Sequence, residues 1–247
     1  MYLLSRSITR AIPSLRTISR QKIPISALST SRQVPTRSFS RTAKMSNQAA
    51  PLLELVKARR TYYALNKELT ISTDRIQEII KEGLLHVPSS FNSQSNRVVV
   101  LFGAEHEKFW DITTDVLKTV VPPENWEPTG AKMAMFRAAA GSVLFFEDQE
   151  VVEGMQAKFA LYADKFPIFA TQSDAMLQYT LWTAFEAEGL GANLQHYNPL
   201  VDGKVAQEWK LPSSWRLNAQ LVFGGRAAEP GEKTFMPIED RFKAFGA

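Results

Sequence analysis

Cysteine is absent from all 247 residues, which excludes disulfides, thiolate metal sites and a cysteine nucleophile. Histidine is scarce: His86, His106 and His196 are the only three, none at a metal-ligand spacing from another, so no protein-held metal is expected. No apolar run reaches the length that crosses a bilayer, which predicts a soluble mature chain without stable membrane insertion. No glycine-rich phosphate loop follows the first apolar strand candidate, Val98 to Phe102, and that argues against a dinucleotide-binding doubly wound sheet.

Acid is missing over one long stretch. Residues 1–44 hold seven Arg, two Lys and no Asp or Glu, together with nine Ser and five Thr. Arg6, Arg10, Arg16 and Arg20 are spaced along an apolar, hydroxylated run, the composition of a disordered mitochondrial transit peptide whose amphipathic helix forms at a membrane surface. Arg37 to Ser40 (RSFS) resembles a matrix-processing site cut after Phe39, and Met45 offers a second start that would give a cytoplasmic form. Removing those nine cations from the chain's 29 leaves 20 against 25 acids, so residues 45–247 carry about −5. A mildly acidic domain without a basic, aromatic-interleaved cluster is not built to bind nucleic acid.

Residues 45–247 are expected to form a single domain. Leu52, Leu53 and Val56 behind Pro51 predict a short helix ending at Arg59 and Arg60. Asp74 and Gln77 open a second helix, with Ile76, Ile79, Ile80 and Leu84 at helical spacing up to Gly83 and His86. Helical spacing returns over 104–121, Pro122, Pro123 and Pro128 predict a loop, and a helix through Met133 and Phe136 ends near Gly141. Another helix is expected from about Val151 to Tyr162. Thr171 to Glu188, apolar on most faces, predicts the longest helix, placed in the core or at a subunit contact. Val98–Phe102, Val143–Phe146, Ala192–His196 and Leu217–Phe223 read as strands. Helices alternating with short strands point to an α+β fold.

The chemically suggestive residues stand in four places: Arg59, Arg60 and Thr61; Pro88 to Gln94 (PSSFNSQ); Ala192 to Asn198 (ANLQHYN); and Met236 to Phe242 (MPIEDRF). Each has an ordinary reading. An Arg pair at a helix end complements the helix dipole, a Ser- and Asn-rich run is a solvated loop, His196 is a packed histidine, and Arg241 is a tail charge.

Taken together and in order, ARRTYYAL, VPSSFNSQ, VLFFED, EGLGANLQHY and an Arg after MPIED resemble the FMN-dependent nitroreductase family. The closest similarity is to its small subgroup with RRTxYAL and PSxFNSQ, linked to nitroaromatic, hydroperoxide and oxidative-stress responses. The resemblance spans Pro51 to Phe245. It implies a nitroreductase-like fold, a central mixed sheet of about four to five strands surrounded by helices, in a domain-interlocked homodimer.

The resemblance also implies site roles. Arg59, Arg60 and Arg241, with Thr61, would hold the phosphate of FMN, the guanidinium fork matching its oxygens. Pro88, Ser89, Ser90 and Asn92 of the other subunit would surround the isoalloxazine and ribityl chain. His196 and Tyr197 would lie near N5, and Lys132 near N1 and O2. Phe91, Phe166, Phe169 and Tyr197 would form an apolar slot above the ring, with core packing as the alternative for each. Two departures stand out: Tyr63 occupies a cofactor-binding position where the family often has a basic residue, and Glu239 and Asp240 replace a Lys near Arg241. These shift phosphate binding toward Arg60 or Lys233 and imply modest FMN affinity.

The implied activity is ping-pong: NADH or NADPH reduces FMN, leaves, and a nitroaromatic, quinone or hydroperoxide acceptor takes its place. Two other readings remain, a flavin-binding sensor with little turnover and a structural dimer that has lost FMN. Retention of Arg59, Arg60, Ser89, Ser90, Asn92 and Arg241 argues against the latter.

Overall fold

The computed structural model describes residues 47–247, which form one compact unit. The basic segment of residues 1–44, its processing site and the Met45 start lie outside the described residues.

Each helix begins where the local chemistry allows it. Helix α1 (Ala50–Ala58) carries Pro51 in its first turn, where the missing N–H costs nothing. Helix α2 (Thr73–His86) starts behind Ser72, whose side chain accepts the Arg75 N–H at 3.1 Å. It turns Ile76, Ile79, Ile80 and Gly83 into the core. Helices α3 (Gly103–Val120) and α4 (Trp126–Arg137) follow strand β2 (Asn96–Phe102). Pro128, expected in a loop, instead sits in the first turn of α4, a position that tolerates proline. Helix α5 (Gln149–Lys158) is capped by Asp148, which accepts the Glu150 N–H at 3.2 Å. Helix α6 (Phe166–Ala187) begins five residues before the expected Thr171, with Pro167 in its first turn. Helix α7 (Asp202–Glu208) is short and lacks the repeated apolar period that would reveal it in sequence.

The sheet has five strands: β1 (Leu65–Asn66), β2 (Asn96–Phe102), β3 (Gly141–Asp148), β4 (Gly191–Gln195) and β5 (Trp215–Arg226). The path is β1-β5-β3-β2, with β4 also paired to β5. Every pair among the described residues is antiparallel, not mixed as expected. The α3–α4 hairpin returns the chain from β2 to its neighbour β3, so no parallel crossover is needed. Strand β1 has two residues, too few to show the alternation by which strands are recognised.

Helix α6 packs one face on the sheet through Leu177, Leu181 and Phe185, all fully buried, while Ile168, Met176 and Tyr179 on the other side stay exposed. Fully burying a Leu or Phe contributes about 1.5–3 kcal/mol each, so this face dominates the helix's stability. Gly83 permits α2 to approach it: an added Cβ would lie 2.7 Å from Leu181 Cδ2 and 3.1 Å from Leu177 Cδ1. The other face of the sheet holds Phe109, Trp110, Phe136, Leu144 and Val222.

Two buried titratable groups are shifted by burial in opposite directions. His106 accepts from the Ser142 hydroxyl at 2.9 Å and donates Nε2–H to Phe136 O at 3.1 Å, while Ser142 Oγ accepts from Trp110 Nε1. Burial lowers its pKa from 6.5 to about 4, against the pull of the Phe136 carbonyl. Asp174 on α6 accepts from Gln178 and Asn218, each at 2.6 Å. Burial raises its pKa from 3.8 to about 7.

The signs are opposite. Below pH 6.5 the unfolded chain protonates His106 while the folded chain resists, so stability falls between 6.5 and about 4, by on the order of 3 kcal/mol from this group. Asp174 lowers stability as pH rises from 3.8 through about 7, because the unfolded carboxyl ionises first. In urea titrations Asp174→Asn should therefore stabilise the protein near about pH 8 and lose that gain near about pH 4. His106→Gln should flatten the acid limb. An Asp174→Asn gain of equal size at both pH values would contradict the assignment.

Candidate functional site

The first group of predicted residues lies where α1 gives way to extended chain. Arg59 is the α1 C-cap, and its guanidinium sits 4.4 Å from the Trp182 ring centroid on α6, a stacked cation contact. Arg60 donates to the carbonyl of Gly231, in the tail that follows β5. Arg59, Arg60, Thr61, Tyr63, Gly231, Glu232 and Lys233 line a cleft of about 390 Å³. A neighbouring cleft of about 570 Å³ shares Arg60 and Gly231–Lys233 and adds Lys57 and Phe235.

The donor set suits a phosphate. Two guanidinium groups, one ammonium and the Thr61 hydroxyl converge on one cleft, with Glu232 as the single acid in its lining. Tyr63 is exposed in that lining, and Lys233 supplies the charge that Tyr63 does not. Arg241, exposed on the tail, does not line the cleft within this chain.

The second group is the PSSFNSQ run. It begins after the α2 C-cap Val87, and Pro88 prevents the helix from continuing. Ser90–Asn92 form a 3-10 turn. Phe91, Asn92 and Gln94 have φ values of 57°, 52° and 53°, a left-handed conformation costly for residues other than glycine. The Ser89 hydroxyl accepts the Gln94 N–H at 2.9 Å and closes the run on itself. Pro88 and Asn92 are exposed, and Ser89 and Ser90 are half-buried. Three unfavourable backbone positions within four residues of a polar run mark a segment whose shape is used for more than connection.

That twist carries the Phe91 ring to Phe159 at 4.7 Å, Phe166 at 5.5 Å and Tyr162 at 6.3 Å, and Phe166 meets Phe169 at 5.8 Å. Three of the four expected slot residues are thus together. Tyr197 is elsewhere: its ring packs edge-on to Trp110 at 5.6 Å, and burial pushes its phenol up to about 12. Its backbone N–H donates to Gln220 Oε1 at 2.8 Å, which fixes the turn after β4. His196 beside it is exposed, as is Lys132 on α4. The cleft lining contains none of Pro88–Gln94, so one chain presents the predicted residues as separate groups.

Sequence reasoning passed over Trp182, Phe159 and Tyr162. Trp182 is indistinguishable from core residues of an apolar helix until Arg59 is seen above it. Phe159 and Tyr162 flank the end of α5 and its following 3-10 turn, where no periodicity singles them out.

The model of the Nitroreductase family matches residues 56–225, from the end of α1 through β5. The chain belongs to the nitroreductase family. The Saccharomyces cerevisiae protein HBN1 is 43% identical over 189 residues, 76% of this chain and 94% of the yeast protein. Nitroreductase CinD from Lactococcus lactis, solved in complex with nicotinic acid, is 46% identical with a TM-score of 0.74, covering 78% of this chain and 99% of CinD. A Desulfovibrio desulfuricans structure in complex with FMN shares the fold at 19% identity and a TM-score of 0.59, covering 79% of this chain and 98% of that one. As a nitroreductase-type oxidoreductase, this chain joins a family whose members bind flavin and are generally dimeric. Among its described residues, no helix is long and apolar enough to cross a membrane.

The left-handed backbone of this nitroreductase gives a direct test. Gln94 is exposed, so Gln94→Gly should stabilise the fold by about 0.5–1 kcal/mol in urea titrations, whereas β-branched Gln94→Val should destabilise it. Equal stabilities of the two variants would show that the run is relaxed.

Proposed function

We propose that this protein is an FMN-dependent NAD(P)H oxidoreductase that reduces nitroaromatic, quinone or hydroperoxide-type acceptors and serves the response to oxidative stress. The observation that carries the reading is the cleft in which Arg59, Arg60, Thr61 and Lys233 converge. FMN held in this cleft would supply the redox chemistry, with NADH or NADPH as the electron donor.

The chain's own residues bind and orient. Arg59 and Arg60 neutralise the phosphate and fix its position, with Thr61 and Lys233 as further donors. Glu232 reduces the positive field of the cleft and Tyr63 adds no charge to it, which supports modest rather than tight retention. Pro88, Ser89, Ser90 and Asn92 offer small polar groups on a preset backbone, so a flat ring can approach closely. Phe91, Phe159 and Phe166 provide an apolar surface that keeps water from a planar acceptor. His196 and Lys132, both exposed, retain the proposed roles beside the ring system.

Two copies complete the site. Helix α1 buries no residue and exposes Leu52, Leu53 and Leu55; Met176, Tyr179, Phe235, Met236, Ile238 and Phe242 are exposed as well. So much apolar surface supports a homodimer, which would bring Arg241 and the PSSFNSQ run of one copy to the cleft of the other. The acid-free residues 1–44 support delivery to the mitochondrial matrix, with a cytoplasmic form from Met45.

The test is the visible absorption spectrum of the chain from Met45, before and after NADH or NADPH without oxygen. A flavin band that bleaches is expected; a band that persists would favour a sensor, and no band after adding FMN would remove the flavin reading. Arg59→Ala with Arg60→Ala should weaken FMN binding by about tenfold or more, because two charge-assisted contacts go. Asn92→Leu should alter the flavin spectrum while leaving the assembly intact.

A further inference from the structure

The segment that carries Arg59, Arg60 and Thr61 is anchored at its next residue. Tyr62 is 6% exposed, its N–H donates to Ala192 O at 3.0 Å, and its C=O accepts from Asn193 Nδ2 at 2.8 Å. The anchor is therefore β4. Above the Tyr62 ring lies Arg226, the last residue of β5, with Cζ 4.6 Å from the ring centroid.

The same guanidinium reaches the end of α6. Arg226 Nη2 donates to the carbonyls of Glu186 at 3.2 Å and Leu190 at 3.1 Å, and pairs with Glu186 Oε1 at 2.9 Å. The Glu186 side chain is 7% exposed, and its Oε2 has no hydrogen-bond partner among the described residues. One helical turn earlier, Trp182 supports Arg59. There is no slack between the layers: a Cβ on Gly191 would lie 2.7 Å from Leu65 Cδ2 and 3.1 Å from both Arg226 Cγ and Tyr62 Cβ.

A buried carboxylate directly behind an anion cleft invites an explanation, because its charge opposes the ligand's. Glu186 is not in the cleft lining. Burial raises its pKa, while Arg226, the Arg60 backbone N–H and Arg59 lower it, so it is electrostatically in touch with the cleft segment as well as with Arg226. Its role fits that of a counter-charge that holds the partly exposed Arg226 guanidinium over the Tyr62 ring, and so fixes the direction in which Arg59, Arg60 and Thr61 leave the anchor.

We propose that the Glu186–Arg226 pair is the positioning element of the anion cleft, holding Tyr62 so that Arg59, Arg60 and Thr61 converge on a phosphate. It thereby sets the preference for a phosphate-bearing flavin over one without phosphate. The proposal rests on the FMN reading of the cleft. Neither Glu186 nor Arg226 lines the cleft; both act through the Tyr62 anchor.

The test compares FMN with riboflavin, which lacks the phosphate, by fluorescence titration of the dimeric protein. Glu186→Gln should raise the FMN Kd by about tenfold and change the riboflavin Kd by less than about twofold. Equal losses for both ligands, or no loss for either, would overturn the proposal. If Glu186→Gln does not fold, the uncharged pair Glu186→Leu with Arg226→Met removes both charges together, so that neither is left without its partner, and an FMN preference that survives in it would likewise overturn the proposal. Should the wild type bind neither flavin, the FMN reading fails on its own. Arginine side-chain N–H resonances then decide: Glu186→Gln should shift or broaden those of Arg59 and Arg60, and unchanged signals would exclude the positioning role.

Discussion

The backbone ladder of β5 is the constraint from which the rest of the arrangement follows. A strand buried from Ala219 to Gly225 must pair its N–H and C=O groups on both edges, since an unpaired buried amide costs about as much as a lost hydrogen bond. It does so with β1, β3 and β4. Those pairings bring the segment after α1, the turn after α6 and the start of the tail to one end of the sheet. Arg59 and Lys233 are 174 positions apart in sequence and line the same cleft for that reason.

Buried polar groups divide into two kinds. His106, Ser142 and Trp110 form a satisfied chain of donors and acceptors that ties α3 and α4 to β3. Such a network specifies how elements pack and has no need of a ligand. Asp174, Glu186 and Trp182 each leave one polar atom without a partner among the described residues. All three lie on α6, the helix that supports Arg59 from below and carries exposed apolar residues on its outer side. Ser95, Asn96 and Asp202, outside α6, likewise leave a buried polar atom without a partner among the described residues, so α6 holds half of these groups.

Much of this organisation could be read from residues. Ile76, Ile79 and Ile80 announce α2, because an apolar stripe at that spacing has few other outcomes. The apolar runs at Val98 and Val143 announce β2 and β3, of which β3 is buried throughout while β2, expected to be buried, is half-buried except at Leu101. What escaped was set by distant partners. Leu65–Asn66 are a strand only because β5 passes beside them, and Pro128 could join α4 because its position fell in the first turn. In the site, the Arg59–Arg60–Thr61 cluster was legible from sequence order, and Phe91, Phe166 and Phe169 do gather. Tyr197 did not join them, since its ring found Trp110 and Phe136 across the sheet's other face. Chemical type gave no hint of which side of β4 it would leave from.

Helix α1 has nine residues and none of them buried. A peptide of that length is marginal by itself in water, so α1 owes its persistence to whatever covers Leu52, Leu53 and Leu55. If that cover is a second copy, dilution removes it by mass action. Fraying of α1 would then loosen Arg59 at its C-terminal end. Cofactor occupancy would become a function of protein concentration, and a preparation that is yellow at high concentration would lose colour on a desalting column and regain it once concentrated with added flavin.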